Sequence, residues 1–102
     1  MEIKRNAVAG TTESSDIMIT LDPSETNDIS IALISNVEKQ FGRRITEVIT
    51  NTLQQAGITS AKVTAIDKGA LDCTITARTI TAVHRALDNS TYNWKEMDSW
   101  NV

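Results

Sequence analysis

Ser35-Asn36-Val37-Glu38-Lys39-Gln40-Phe41-Gly42-Arg43-Arg44-Ile45-Thr46-Glu47-Val48-Ile49-Thr50-Asn51-Thr52-Leu53-Gln54-Gln55-Ala56-Gly57 holds the one long helical pattern in this chain. Val37, Phe41, Ile45, Val48, Ile49, Thr52, Leu53 and Ala56 recur at i, i+4, i+8 and i+11. That spacing draws a single apolar stripe along a helix of about five turns. Ser35 followed by Glu38 has the form of a capping box at its start. Gly42 interrupts the pattern at a cost of up to roughly 1 kcal/mol relative to alanine. Gly57 stands where a left-handed C-terminal cap belongs. By this pattern Phe41 is a core residue.

The flanking patterns have the period of strands. Ahead of the helix, Ile17, Ile19 and Leu21 alternate with polar residues, and so do Ile29, Ile31 and Leu33. Pro23 lies in the loop between them and helps to end the first run. The two runs are expected to pair antiparallel. Beyond the helix, Ala61, Val63 and Ala65 predict a third strand, and Asp67-Lys68-Gly69-Ala70 a turn. Leu71, Cys73, Ile75 and Ala77 then alternate strictly with Asp72, Thr74, Thr76 and Arg78, which predicts a fourth, half-buried strand. Ile80, Val83 and Leu87, with His84 beside them, mark a short second helix. The fold class is therefore α+β. It is a small four-stranded sheet in ββαββα order, with one long and one short helix packed on one face. Direct pairing of the strands on either side of the long helix requires them to be parallel. Residues 1–15 read as a flexible N-terminal arm, 16–88 as a single domain, and 89–102 as a tail carrying Trp94 and Trp100.

The chain has 102 residues, a net charge of −3 and one cysteine. That length fits one domain with one modest core. No apolar run approaches the roughly 20 residues that span a bilayer. Met1–Arg5 has no apolar stretch behind its basic residues, so it does not read as a secretory signal. One cysteine allows no internal disulfide, and these features together suit the cytoplasm. Residues 1–28 carry a balance of −4 and the remaining 74 a balance of +1. An acidic amino end argues against a nucleic-acid surface, which needs clustered Lys and Arg. It reads first as a solvated acidic face with no partner, and second as a surface that suits docking to a basic patch on a partner protein.

The side chains of familiar catalytic sites are missing. Cys73 falls on the inward side of its expected strand, where a thiol acts as a small hydrophobe. His84 is the only histidine and has no companion for metal or acid–base work. Glu13 and Asp16 read as hydrated loop carboxylates. No glycine-rich phosphate loop is present. The one stretch suited to bearing a chemical group is Ala7-Val8-Ala9-Gly10-Thr11-Thr12-Glu13-Ser14-Ser15-Asp16, which is small, polar and rich in hydroxyls. A serine on a surface loop can enter another enzyme's active site and be modified, whereas one inside a strand or helix cannot.

Three blocks stand together: Ala7–Thr11 running into Glu13–Asp16, Val37–Gly42, and Asp67–Cys73. In this order and in a chain of this length they resemble the citrate lyase acyl carrier (gamma) subunit family, over about Ile3 to Leu87. The resemblance implies that Ser14 carries 2'-(5''-phosphoribosyl)-3'-dephospho-CoA through a phosphodiester bond, with Ser15 the second candidate. The family usually has glycine after that serine, where this chain has Ser15. It further implies that the thiol of the group holds acetyl and citryl thioesters during cleavage of citrate to acetate and oxaloacetate, as in bacterial citrate fermentation. The implied partners are the alpha (acyl transferase) and beta (citryl lyase) subunits, a prosthetic-group transferase and an acetylating ligase, with no metal, membrane or nucleic acid. The chain is then a carrier and not itself an enzyme. The carrier of malonate decarboxylase is the nearest competing assignment, and a non-catalytic scaffold is the rival of another class. Asp98-Ser99-Trp100 echoes the Asp-Ser-Leu signature of ordinary acyl carriers, but no helical pattern follows it.

Overall fold

Strands Ala7–Gly10 (β1), Ile17–Asp22 (β2), Ile29–Ser35 (β3) and Ala61–Asp67 (β4) form one sheet in the computed structural model, which describes residues 1–87. Their spatial order is β1-β2-β4-β3. Helices Glu38–Gln55 (α1) and Asp72–Ala86 (α2) pack together on one face. The α+β class, the four strands and the two helices agree with the sequence reading. The membership of two segments does not. The tail at 89–102, with Trp94 and Trp100, lies outside the described residues.

The first difference is at the amino end. Ala7–Gly10 lies within the stretch read as an arm, yet it pairs antiparallel with β2, Ala9 opposite Ile19. Ala9 and Ile3 are both buried, and the Ile3 N–H donates to the Ser60 carbonyl at 3.0 Å. The small residues of β1 let α2 lie close against it. That packing keeps a strand without large apolar side chains on the sheet.

The second difference is at Leu71–Ala77, which is the start of α2 and not a strand. Of the four alternating residues Leu71, Cys73, Ile75 and Ala77, only Ile75 is buried. The decision comes from Ile75, Thr79, Ala82, Val83 and Ala86, which continue at helical spacing and are all buried. The threonines that raise strand propensity here turn their hydroxyls back on the helix. Thr79 Oγ1 donates to the Ile75 carbonyl at 2.8 Å, and Thr81 Oγ1 to the Ala77 carbonyl at 2.9 Å.

β2 and β3 do not pair with each other, contrary to expectation. β4 lies between them, antiparallel to β2 and parallel to β3. The β3–α1–β4 connection supplies the expected parallel crossover. The core is the layer between sheet and helices, where Ile17, Ile19, Leu21, Ile49, Leu53, Val63, Ile75 and Val83 are almost fully buried. Each such side chain contributes roughly 1.5–3 kcal/mol of transfer free energy. His84, on α2, is buried.

The two ends of α1 are built differently. At its C-terminus Gly57 has φ +81, the Ile58 N–H donates to the Leu53 carbonyl and the Gly57 N–H to the Gln54 carbonyl. These two bonds make a Schellman closure, as Gly57 predicts. At its N-terminus the capping box does not form. Val37 occupies the cap position and makes no side-chain cap bond. Ser35 Oγ instead accepts from the Val37 N–H at 3.1 Å and donates to Asp67 Oδ2 at 2.8 Å. Phe41, one turn into α1, is 47% exposed and not a core residue.

Candidate functional site

β1 and β2 are joined by residues 11–16, and this turn carries both candidate serines. Gly10 sets its entry. Its φ is +93, and a Cβ there would stand 1.9 Å from the Ile17 carbonyl oxygen, so only glycine fits. Ser14 and Ser15 are exposed at the tip. Ser15 has φ +65, the left-handed region that side chains other than glycine rarely adopt. The backbone at this position thus asks for glycine, which is the residue the resembled family usually has.

Below the tip the turn is firmly tied. The Ser15 N–H donates to the Lys68 carbonyl at 2.8 Å, and the Lys68 N–H donates to the Asp16 carbonyl at 2.9 Å. Within the turn, the Asp16 N–H donates to the Glu13 carbonyl and the Glu13 N–H to Thr11 Oγ1. The Ser14 side chain is therefore presented by a braced turn, while the segments on either side belong to the sheet.

Asp16 is not the hydrated loop carboxylate that the sequence led us to expect. Arg78, from the middle of α2, donates to it through Nε (3.0 Å) and Nη2 (2.9 Å). Thr11 Oγ1 and the Ile17 N–H donate to it as well, each at 2.7 Å. The hydrogen bonds from Arg78, then that from Thr11, hold the carboxyl well below the usual carboxylate range. Burial opposes them and is outweighed. Arg78 is shifted upward by the same contact. Glu13 is exposed, as expected.

The turn at 67–71 lies beside the serine turn because Ile17 is registered with Asp67. Asp67 is buried and ties this corner together. It accepts from the Ser35 hydroxyl and from the backbone N–H groups of Gly69 (3.1 Å) and Ala70 (3.0 Å). Sequence reading places Asp67 in a turn but has no signal for this bridging role, which depends on a residue 32 positions away. The Asp16–Arg78 pair spans 62 positions and is equally invisible locally.

Cys73 stands on the first turn of α2 and is exposed, which corrects the inward position expected of a strand residue. It belongs to an apolar groove of about 610 Å³ between the starts of the two helices. Among the described residues, no cluster of three or more His, Cys, Asp or Glu side chains could hold a metal ion. No helix among them is long and apolar enough to cross a membrane.

What this arrangement can do chemically is limited and specific. It holds out two primary hydroxyls, those of Ser14 and Ser15, on a braced turn. Such a hydroxyl suits modification by another enzyme rather than catalysis in place.

Comparison with known proteins identifies the family. Residues 4–86 match the family model described as "ACP: Malonate decarboxylase delta subunit (MdcD)". The citrate lyase acyl carrier protein of Streptococcus mutans is 60% identical over 102 residues, all of both chains. That of Streptococcus uberis is 63% identical over the same span. Among solved structures, a chain of a Pseudomonas malonate decarboxylase hetero-tetramer in complex with malonate superposes with a TM-score of 0.72. It is 17% identical, with 82% of this chain and 86% of that chain covered, and so shares the fold.

Proposed function

This chain belongs to the citrate lyase acyl carrier protein family, and we propose that it serves as the acyl carrier subunit of a citrate-cleaving lyase, with Ser14 the attachment point of its arm. Full-length identity of 60% to carriers of that name supports the citrate assignment. The malonate decarboxylase chain shares only the fold at 17% identity. The proposed arm is 2'-(5''-phosphoribosyl)-3'-dephospho-CoA, joined through a phosphodiester to Ser14 Oγ. When bound, it supplies a terminal thiol that holds acyl groups as thioesters.

The residues present fit such a group. Ser14 is exposed, and among the described residues no other element covers it. A phosphodiester beside two carboxylates would be repelled, but Arg78 neutralises Asp16, which leaves Glu13 as the nearer acidic neighbour. Lys68, also exposed, adjoins the turn through its backbone bonds to Ser15 and Asp16 and offsets that charge. The packed sheet and helices of the described residues supply the base. A tether fixed to it presents its free end at an effective concentration of the order of millimolar to neighbouring active sites. The proposed partners are the acyl transferase (alpha) and citryl lyase (beta) subunits. The proposed maturation enzymes are the prosthetic-group transferase and the acetylating ligase.

Production of Ser14→Ala and Ser15→Ala chains alongside the maturation enzymes tests the assignment. Intact mass should show the full adduct on Ser15→Ala and none on Ser14→Ala, with both chains folded. The reverse pattern moves the site to Ser15. No adduct on the parent chain favours a scaffold that needs no modified serine.

A further inference from the structure

The groove between the starts of α1 and α2 has walls that local folding preferences do not explain. Helix N-caps favour Ser, Thr, Asp and Asn, whose side chains satisfy the first free N–H groups. Here both caps are apolar, Val37 on α1 and Leu71 on α2, and neither makes a side-chain cap bond. Both line the same groove, together with Phe41, Ile45, Ala70 and Ile75. Leu71 is 71% exposed and Phe41 47%. Leu71 therefore neither caps its helix nor packs in the core. Departures from local preference that converge on one cavity are expected at functional sites.

We propose that this groove is the resting site for the uncharged, thiol-bearing end of the arm carried at Ser14. The proposal rests on the carrier reading above. Three observations favour that occupant over a protein segment. The groove is next to the attachment point, since Lys68 is bonded to the serine turn on both its N–H and its carbonyl, and Gly69 and Ala70 follow it into the groove wall. Its volume of about 610 Å³ is that of a small-molecule pocket. Its charged lining residues are already engaged: Arg44 Nη2 donates to Asp72 Oδ2 at 2.6 Å, and the buried Asp67 accepts from the Ser35 hydroxyl and the Gly69 and Ala70 N–H groups. What is left is an apolar slot suited to an uncharged chain of methylenes and amides, and unsuited to the anionic phosphates nearer the serine.

The chain's only cysteine reports on occupancy, because Cys73 is exposed and lines the groove. The experiment compares the rate of Cys73 alkylation by iodoacetamide in the unmodified chain and in the fully matured, acetyl-loaded chain, whose arm thiol is blocked. Products are read by peptide mass. At an effective concentration of the order of millimolar, even millimolar intrinsic affinity fills the groove about half the time, so loading should slow alkylation about twofold or more. The same ratio is then measured in Leu71→Ser, which supplies a side-chain cap while removing groove wall. The proposal expects Leu71→Ser to keep or raise the melting temperature, load fully, and lose the protection. A merely structural Leu71 would leave the ratio unchanged. Equal alkylation rates in unmodified and loaded parent chains, with the adduct present, overturn the resting site and leave the carrier reading intact. Protection of the unmodified chain only on adding the partner subunits assigns the groove to protein docking and also overturns it. A parent chain that takes no adduct overturns the carrier reading, and this proposal with it.

Discussion

The packed middle of the domain and its serine-bearing end follow opposite rules. In the middle every position agrees with its neighbours. Ile49 and Leu53 from α1 share one buried cluster with Ile19, Leu21 and Val63 from the sheet, all nearly solvent-free, and α1 closes on a glycine cap. At the other end, a serine takes a backbone angle suited to glycine, both helices start on apolar residues without side-chain caps, and Leu71 and Phe41 stand in solvent. The same end is braced by two carboxylates, Asp16 and Asp67, each with several donors. The contrast teaches that rigidity and local optimisation are separable. The middle makes stability, and the end uses some of it to hold the proposed attachment turn in place.

The contrast breaks most visibly at its strong side. Ile49→Ala removes a fully buried side chain and should cost about 2–5 kcal/mol by denaturant unfolding. Maturation of the fraction that remains folded should be unchanged. Loss of loading well beyond the loss of folded protein would show that middle and end are not separable.

A smaller effect is expected at the brace. Asp16→Asn leaves Arg78 without its carboxylate and should cost about 1–3 kcal/mol. Faster amide exchange should be concentrated at Ser15 and Ile17. The pH dependence has a definite sign, because the folded-state pKa of Asp16 is depressed. Its contribution is complete above the unfolded-state value of about 3.9 and is lost as pH falls through the lower folded-state value. The stability difference between parent and Asp16→Asn should therefore be flat from about pH 7 to 5 and shrink below about pH 4. A difference that vanished already near neutral pH would mean that the Arg78 contact is not holding the turn.

The smallest effect sharpens the comparison. Ser15→Gly relieves a left-handed residue at a cost of some unfolded-chain entropy, for a net gain of up to about 1 kcal/mol. The melting temperature should rise slightly and loading should persist. A fall in stability would mean that the turn at Ser15 is not under strain.

Which parts were legible in the sequence follows from the same contrast. The α1 stripe and Gly57 were readable because each depends on residues within one or two turns. The runs at 17–21, 29–33 and 61–65 were readable as strands, but not their neighbours, since β4 enters between β2 and β3 only after α1 has crossed. β1 was missed because Ala7–Gly10 has no apolar alternation and is held by α2. The first half of α2 was misread because Leu71, Cys73, Ile75 and Ala77 satisfy a two-residue period, and only the buried run from Ile75 to Ala86 decides against it. That error carried Cys73 to the wrong side of the protein. At the site, the choice of Ser14 comes from resemblance and stands as the proposal above, while its exposed turn is what the structure describes. The Asp16–Arg78 pair and the Asp67 bridge were not legible, because they form only when the fold brings distant segments together.

The most direct test is to mature the parent chain, cleave it, and locate the modification by fragmentation mass spectrometry of the peptide containing residues 6–39. A phosphodiester-linked adduct on Ser14, with Ser15 bare, is the predicted result. An adduct on any other side chain, or an unmodified peptide from protein that supports citrate cleavage, contradicts it.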